Sequence, residues 1–202
     1  MPRSKYRYNP DQLSLFHFEM APISYVYYFI IISPCDRIKK IVEFFKILLD
    51  KIIPLSKINL YSKPHISLMK FSSTDDDEQV IRKVKDALSS SQNFEVELNG
   101  SDIFQHGDLS TTLFLKISNP TPIEALYQLL LTADLAPVYR KKITPHLTIA
   151  RTIPNDIFAG RVDLSKFDYY DSFLCKHITI LKQAPGESYR ELATIPLRDY
   201  FI

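Results

Sequence analysis

Two short stretches carry the residue types best suited to chemistry. Lys63-Pro64-His65-Ile66-Ser67-Leu68-Met69-Lys70 and Thr144-Pro145-His146-Leu147-Thr148-Ile149-Ala150-Arg151 share one order of proline, histidine, aliphatic, hydroxyl and aliphatic. Successive side chains of a strand point to opposite faces, so His65 and Ser67 fall on one face and Ile66 and Leu68 on the other; the second copy divides the same way. The proline before each histidine favours extended backbone and removes one donor, which suits a strand entrance. Imidazole gives or takes a proton near neutral pH. Two imidazoles facing one phosphoester could share the work, a neutral one taking a proton from the attacking oxygen and a protonated one supplying the leaving oxygen. The hydroxyls of Ser67 and Thr148 could donate to the non-bridging oxygens, where the negative charge sits. This scheme requires no metal or other cofactor, and no carboxylate is placed near either histidine in sequence to complete a metal cage.

The elements that would hold these stretches can be read from periodicity. Tyr25 to Ser33 is a continuous run of β-branched and aromatic residues that Pro34 stops, which predicts a buried strand. Ile38, Ile41, Val42, Phe45, Leu48, Leu49 and Ile52 then follow helical spacing, with Asp36 as a cap and Pro54 as a stop. The first motif strand follows at 64 to 71. A second helix is signalled from about Asp75, with Val80, Val84, Ala87 and Leu88 on one stripe. Phe94 to Leu98 alternates as a strand, and Asn99-Gly100 reads as a turn. Thr111 to Ile117 is another strand, and Thr121-Pro122-Ile123-Glu124 announces a helix to about Ala133. After the second motif strand, Phe167 to Leu181 and Tyr189 to Leu197 read as strands around a turn at Ala184-Pro185-Gly186-Glu187.

These elements repeat as strand, helix, histidine strand in each half of the chain. Two such units predict an α+β fold of two pseudo-symmetric lobes, with antiparallel sheets lining a central cleft, helices outside, and His65 and His146 brought together. Residues 1–24 mix Arg3, Lys5 and Arg7 with Tyr6, Tyr8, Phe16 and Phe18 without a sustained period. They read as an N-terminal arm on a domain of residues 25–202, packing across it rather than touching nucleic acid.

With 202 residues and 46% hydrophobic content, the chain can bury a sizeable core. A net charge of +2 is too mild for a surface that coats nucleic acid, though it permits a local phosphate pocket. Cys35 and Cys175 are far apart and in no metal-ligand spacing, which fits a reducing cytoplasm. The apolar run Ile23 to Ile32 is too short to span a bilayer. These features predict a soluble, monomeric cytoplasmic protein without membrane contact.

Paired His-x-Ser/Thr strands in an α+β chain of this length resemble the two-histidine phosphoesterase superfamily, and Pro145 to Arg151 is similar to its branch of RNA 2′,5′-ligase-like cyclic phosphodiesterases. The likeness covers roughly residues 25 to 200. It implies metal-independent chemistry on 2′,3′-cyclic phosphates or 2′,5′-linked oligonucleotides, in short RNA or a cyclic nucleotide. By the same resemblance His65 and His146 take the catalytic roles, and Ser67 and Thr148 the phosphate-binding ones. Tyr189, in a Tyr-x-x-Leu phrase before the last strand, corresponds to a position near the ligand. Simple alternation puts Lys70 and Arg151 opposite the histidines, unless twist at the strand ends reorients them. The resemblance favours Arg151 as a phosphate ligand, and Lys70 is expected to be a solvated charge. His146 is expected as the base and His65 as the acid.

His177-Ile178-Thr179-Ile180 also fits the short pattern, but it lacks the proline and the preceding strand-helix unit, so it reads as ordinary strand. His17 and His106 carry no assignment. Lys141 and Lys142 are surface charge, and packing accounts for Tyr61 and Tyr139 as well as base stacking does. A nucleotide-binding module without turnover and an RNA ligase remain as alternatives to the hydrolase.

Overall fold

The computed structural model describes residues 25–135 and 142–199. The expected arm at 1–24, Tyr139 and Lys141 lie outside them. The described chain is mixed α and β: strand β1 (Val26–Ile32), helices α1 (Asp36–Ile52) and α2 (Lys57–Tyr61), β2 (Ile66–Ser73), α3 (Asp77–Ala87), β3 (Phe94–His106), β4 (Ser110–Ile117), α4 (Thr121–Leu131), β5 (His146–Pro154), α5 (Asn155–Phe158), a 3-10 turn at Leu164–Phe167, β6 (Tyr170–Cys175), β7 (His177–Gln183) and β8 (Arg190–Pro196).

The strands form one eight-stranded sheet in the order β6-β3-β4-β5-β2-β1-β7-β8, with antiparallel neighbours throughout. The two expected lobes are its two halves. They meet where β2 and β5 pair at a single position, Ile66 opposite Leu147. The two motif strands therefore touch only at their starts and diverge from there, as a local two-fold axis through that pair requires. The axis relates β1-α1-β2 to β4-α4-β5, which is the repeat visible in the sequence. Lys176 alone joins β6 to β7, strands at opposite sides of the sheet order. One residue spans only about 7 Å, so the sheet must curl until those two strand ends approach.

The helices cover one face and the motif strands hold the middle of the core. In α1 the apolar stripe buries Ile38, Val42, Phe45 and Leu49; in α4 it buries Ile123, Leu126, Tyr127 and Leu130. Their packing is exchanged, α1 lying on β5 and α4 on β2, so each half's helix supports the other half's motif strand. Ile66 and Leu147 are fully buried on the helix side.

Several boundaries depart from the sequence reading. Asn99-Gly100 makes no hairpin; it is a bulge inside the long strand β3, where Gly100 takes φ +73° and any side chain would meet Asp168 and Tyr170. The strand runs on to His106, and its partner β4 follows a turn at 107–109. Cys35 rather than Asp36 occupies the cap position of α1, and α3 begins at Asp77 with the Asp76 carboxylate accepting from the Gln79 amide at 2.8 Å. Phe167 to Leu181 is split into the 3-10 turn, β6 and β7. The short helices α2 and α5 give no periodic signal at their length, and both were missed.

Helix α2 matters to the site because it continues the seam where β2 stops. The Asn59 amide imitates a β pair with the Arg151 backbone, donating to its carbonyl at 2.9 Å and accepting from its N–H at 3.0 Å. Ser62 Oγ donates to the Asn59 carbonyl, and the buried Lys46 ammonium of α1 donates to Ser62 at both its carbonyl and its hydroxyl. Burial lowers the Lys46 pKa to about 8. This chain of bonds fixes the approach to His65 against the far end of the second motif. Asn59→Ala would orphan both polar groups of Arg151, and each unsatisfied buried group costs about 1–3 kcal/mol. Chemical denaturation of that variant is expected to show a loss on the order of 2–4 kcal/mol.

Candidate active site

The Ile66–Leu147 pair sets the geometry of the four motif residues. Carried one residue to either side, the antiparallel register puts His65 opposite Thr148 and Ser67 opposite His146. All four point away from the helix side, where Ile66 and Leu147 are buried, and so into the open face of the sheet. Each imidazole thus has one hydroxyl two residues along its own strand and another directly across. The two histidines stand on a diagonal, roughly 7–8 Å apart at that register. Imidazole side chains can close such a gap on one phosphate group.

Both rings are oriented by the same device. His65 Nδ1 donates to the Lys63 carbonyl at 2.8 Å, and His146 Nδ1 donates to the Thr144 carbonyl at 2.7 Å. A carbonyl only accepts, so the proton of each neutral ring sits on Nδ1 and leaves Nε2 as the working nitrogen. In both motifs the accepting carbonyl belongs to the residue before the proline.

Aromatic walls hold the rings in place. Phe29 meets His65 edge to face at 5.1 Å between centroids. Phe104 and Phe114 stack on each other at 4.1 Å and meet His146 at 5.0 and 5.2 Å. This burial lowers the pKa of both histidines, since it penalises the imidazolium; the bonds to Lys63 and Thr144 oppose it. At His65 the charges of Lys70, Arg151 and Lys46 lower the pKa further. Across the sheet the exposed Lys116 stands opposite His146 in the β4–β5 register.

Lys70 is exposed, but not on the face that alternation predicts. The β1–β2 register slips by one residue between Ile30 and Ile31, so β2 carries a bulge at Leu68-Met69 and both side chains are buried. Beyond the bulge the alternation is inverted, and Lys70 stands on the histidine face with its ammonium 4.3 Å from the centre of the Phe29 ring. The second motif repeats the device. The β4–β5 register slips beside Ile149-Ala150, both buried, and leaves Arg151 exposed. Arg151 lies at the margin of the cleft, where its charge reaches His65 and it also lines a hollow with Ser56, Asn59 and Pro154. Two consecutive apolar residues at the same offset after each His-x-Ser/Thr were the signal for these bulges.

Tyr189 joins the group around His65. Its ring lies 5.8 Å from Phe29, and the Lys70 ammonium lies 5.9 Å from its centre. The remaining candidates lie elsewhere. His177 is exposed at the start of β7, opposite Pro196 and two strands from β2. His106 Nε2 bonds Thr112 Oγ1 at 2.9 Å, and Tyr61 and Lys142 are exposed. Phe29, Phe104, Phe114 and Asn59 were missed by the sequence reading because their type and local pattern are those of ordinary core or loop residues. Among the described residues no group of three or more His, Cys, Asp or Glu is placed to hold a metal ion.

The sequence matches the family model described as the 2'-5' RNA ligase superfamily over residues 59–187. No curated protein matches it significantly. Among solved structures, E. coli LigT in complex with 3'-AMP aligns at a TM-score of 0.61 and 16% identity, covering 86% of this chain and 98% of that one. A phosphoesterase aligns at 0.57 and 12% identity, covering 87% and 99%. A Thermus thermophilus protein aligns at 0.54 and 16% identity, covering 88% and 100%. At these identities the structural likeness speaks to the fold.

Proposed function

Because this chain belongs to the 2'-5' RNA ligase superfamily of two-histidine phosphoesterases, we propose that it is a phosphodiesterase that cleaves RNA-type phosphodiesters, 2′,3′-cyclic phosphates or 2′,5′-linked oligonucleotides, without a metal ion. Residues 25–202 constitute its catalytic domain. The observation that carries this reading is the matched orientation of the two rings, each with Nδ1 tied to a carbonyl and Nε2 left for the substrate.

In hydrolysis of a cyclic phosphate, one neutral Nε2 accepts a proton from water as the oxygen attacks phosphorus. The other, protonated, gives its proton to the departing ribose oxygen, so each histidine finishes in the other's starting state. Ser67 and Thr148 donate to the non-bridging oxygens, and Arg151 contributes positive charge from the margin. Tyr189 packs beside the ribose or base. Lys70, Arg151 and Lys46 favour neutral His65, and Lys116 stands opposite His146, so either ring can serve as the base.

Turnover of a panel of 2′,3′-cyclic nucleotides and 2′,5′- and 3′,5′-linked oligonucleotides, with products resolved, tests the reading. Cleavage of the first two classes supports it. Binding without cleavage favours the non-catalytic module, and joining of ends favours the ligase.

The pH dependence has a definite sign. The folded pKa of each histidine lies below the ordinary value of about 6.5, so acid conditions are needed before either is protonated in the free enzyme. A profile of kcat/KM that needs one neutral and one charged ring is bell-shaped and peaks between the two pKa values. It is therefore expected to peak on the acid side of about 6.5. The kcat profile should lie at higher pH, because a bound phosphate anion favours imidazolium.

A further inference from the structure

The open faces of the two lobes differ in chemistry. On the His146 side the face is closed by the stacked pair Phe104 and Phe114, with Asp102 opposite Phe114 and Lys116 opposite His146, both exposed and of opposite charge. On the His65 side Lys70 of β2 stands opposite Phe29. Beyond Phe29 the strand continues the same row outward. Tyr28 points to the helix side, where its hydroxyl meets Asp77, so Tyr27 faces the cleft side together with Phe29. Tyr25 extends the row just before β1 starts. Tyr25 and Tyr27 are each 49% exposed, unusual for rings on the central part of a sheet. Tyr27 also lies close enough to Tyr189 to raise that phenol's pKa, burial being the larger cause.

We infer that this row, Phe29 with Tyr189, then Tyr27, then Tyr25, is a stacking track for a single-stranded oligonucleotide whose reacting phosphate lies at His65 and His146. The inference rests on the phosphodiesterase reading for the position of that phosphate. Rings two residues apart along a strand are separated by roughly 6.8 Å, which gives each ring room for its own base. Base stacking on exposed aromatics is tolerant of sequence, and a nearby cation attracts the backbone between bases. Lys70 supplies that cation at the inner end of the track, whereas on the opposite lobe Phe104 and Phe114 are stacked on each other and offer no comparable open row. The substrate is thereby an oligonucleotide end that crosses the His65 lobe, and a lone cyclic nucleotide would use only the innermost ring.

The test is equilibrium binding of a fluorescent series of one to five nucleotides, each ending in a 3′-phosphate, alongside turnover of the matching 2′,3′-cyclic forms. Affinity is expected to rise about tenfold per added base and to level off near three, one base for each step of the track. Tyr27→Ala should remove about tenfold of the gain for the trimer, and Tyr27→Phe should retain it. Circular dichroism of both variants checks that the fold is intact. An affinity independent of length, or a length dependence that survives Tyr27→Ala, overturns the track. Length-dependent, Tyr27-sensitive binding without turnover of any cyclic form would uphold the track and refute the phosphodiesterase reading instead.

Discussion

Alanine at His65 or at His146 is expected to lower turnover by about two to four powers of ten, with a much smaller effect on substrate affinity. Each ring is held with Nδ1 bonded to a carbonyl two residues earlier, which leaves Nε2 for the proposed proton transfer. The double variant should lose less than the two free energies combined, because acid and base act in one step and removing either already disables it. His177→Ala is the control: that residue is exposed at the start of β7, away from the quartet, and its removal should leave turnover near normal. Steady-state kinetics on the best substrate of the panel decides this, and a loss at His177 as large as that at His65 would place the chemistry elsewhere.

The hydroxyl variants should show the next largest effect. Ser67→Ala and Thr148→Val are each expected to cost on the order of 10² or more in kcat, the usual scale for a donor that meets charge growing in a transition state. The register gives the reason. Carried one residue to either side of the Ile66–Leu147 pair, the register sets Ser67 against His146 and Thr148 against His65, which would put each hydroxyl beside a phosphate held between the rings. Neither side chain packs in the core: Ser67 is exposed and Thr148 half-buried. Thermal unfolding should therefore be almost unchanged while kcat falls. Unaltered rates in both variants would confine the hydroxyls to local backbone contacts.

Much of the architecture was legible because pattern and core agree. The stripes of α1, α3 and α4, the strand-helix-strand repeat and the paired Pro-His phrases all survive in the structure, since each is a local consequence of burying one face. What escaped the sequence was set by non-local register. Nothing local to Asn99-Gly100 distinguishes a hairpin from a bulge; the choice depends on β4 and β6 flanking β3. Strict alternation misplaced Lys70 because one extra residue in β2 inverts the faces beyond Met69. Asn59 was invisible for a different reason: its value lies in two bonds to a backbone 92 positions away.

The account stands most directly on the division of one proton transfer between two rings. The measurement is the pH profile of kcat/KM in excess chelator for the wild-type chain and for His65→Ala and His146→Ala. The expected result is a bell on the acid side of about 6.5 for wild type and the loss of one limb, a different one in each variant, from the residual activity of His65→Ala and His146→Ala. Activity abolished by the chelator and restored by a divalent ion, or limbs that persist unchanged in both variants, would contradict it.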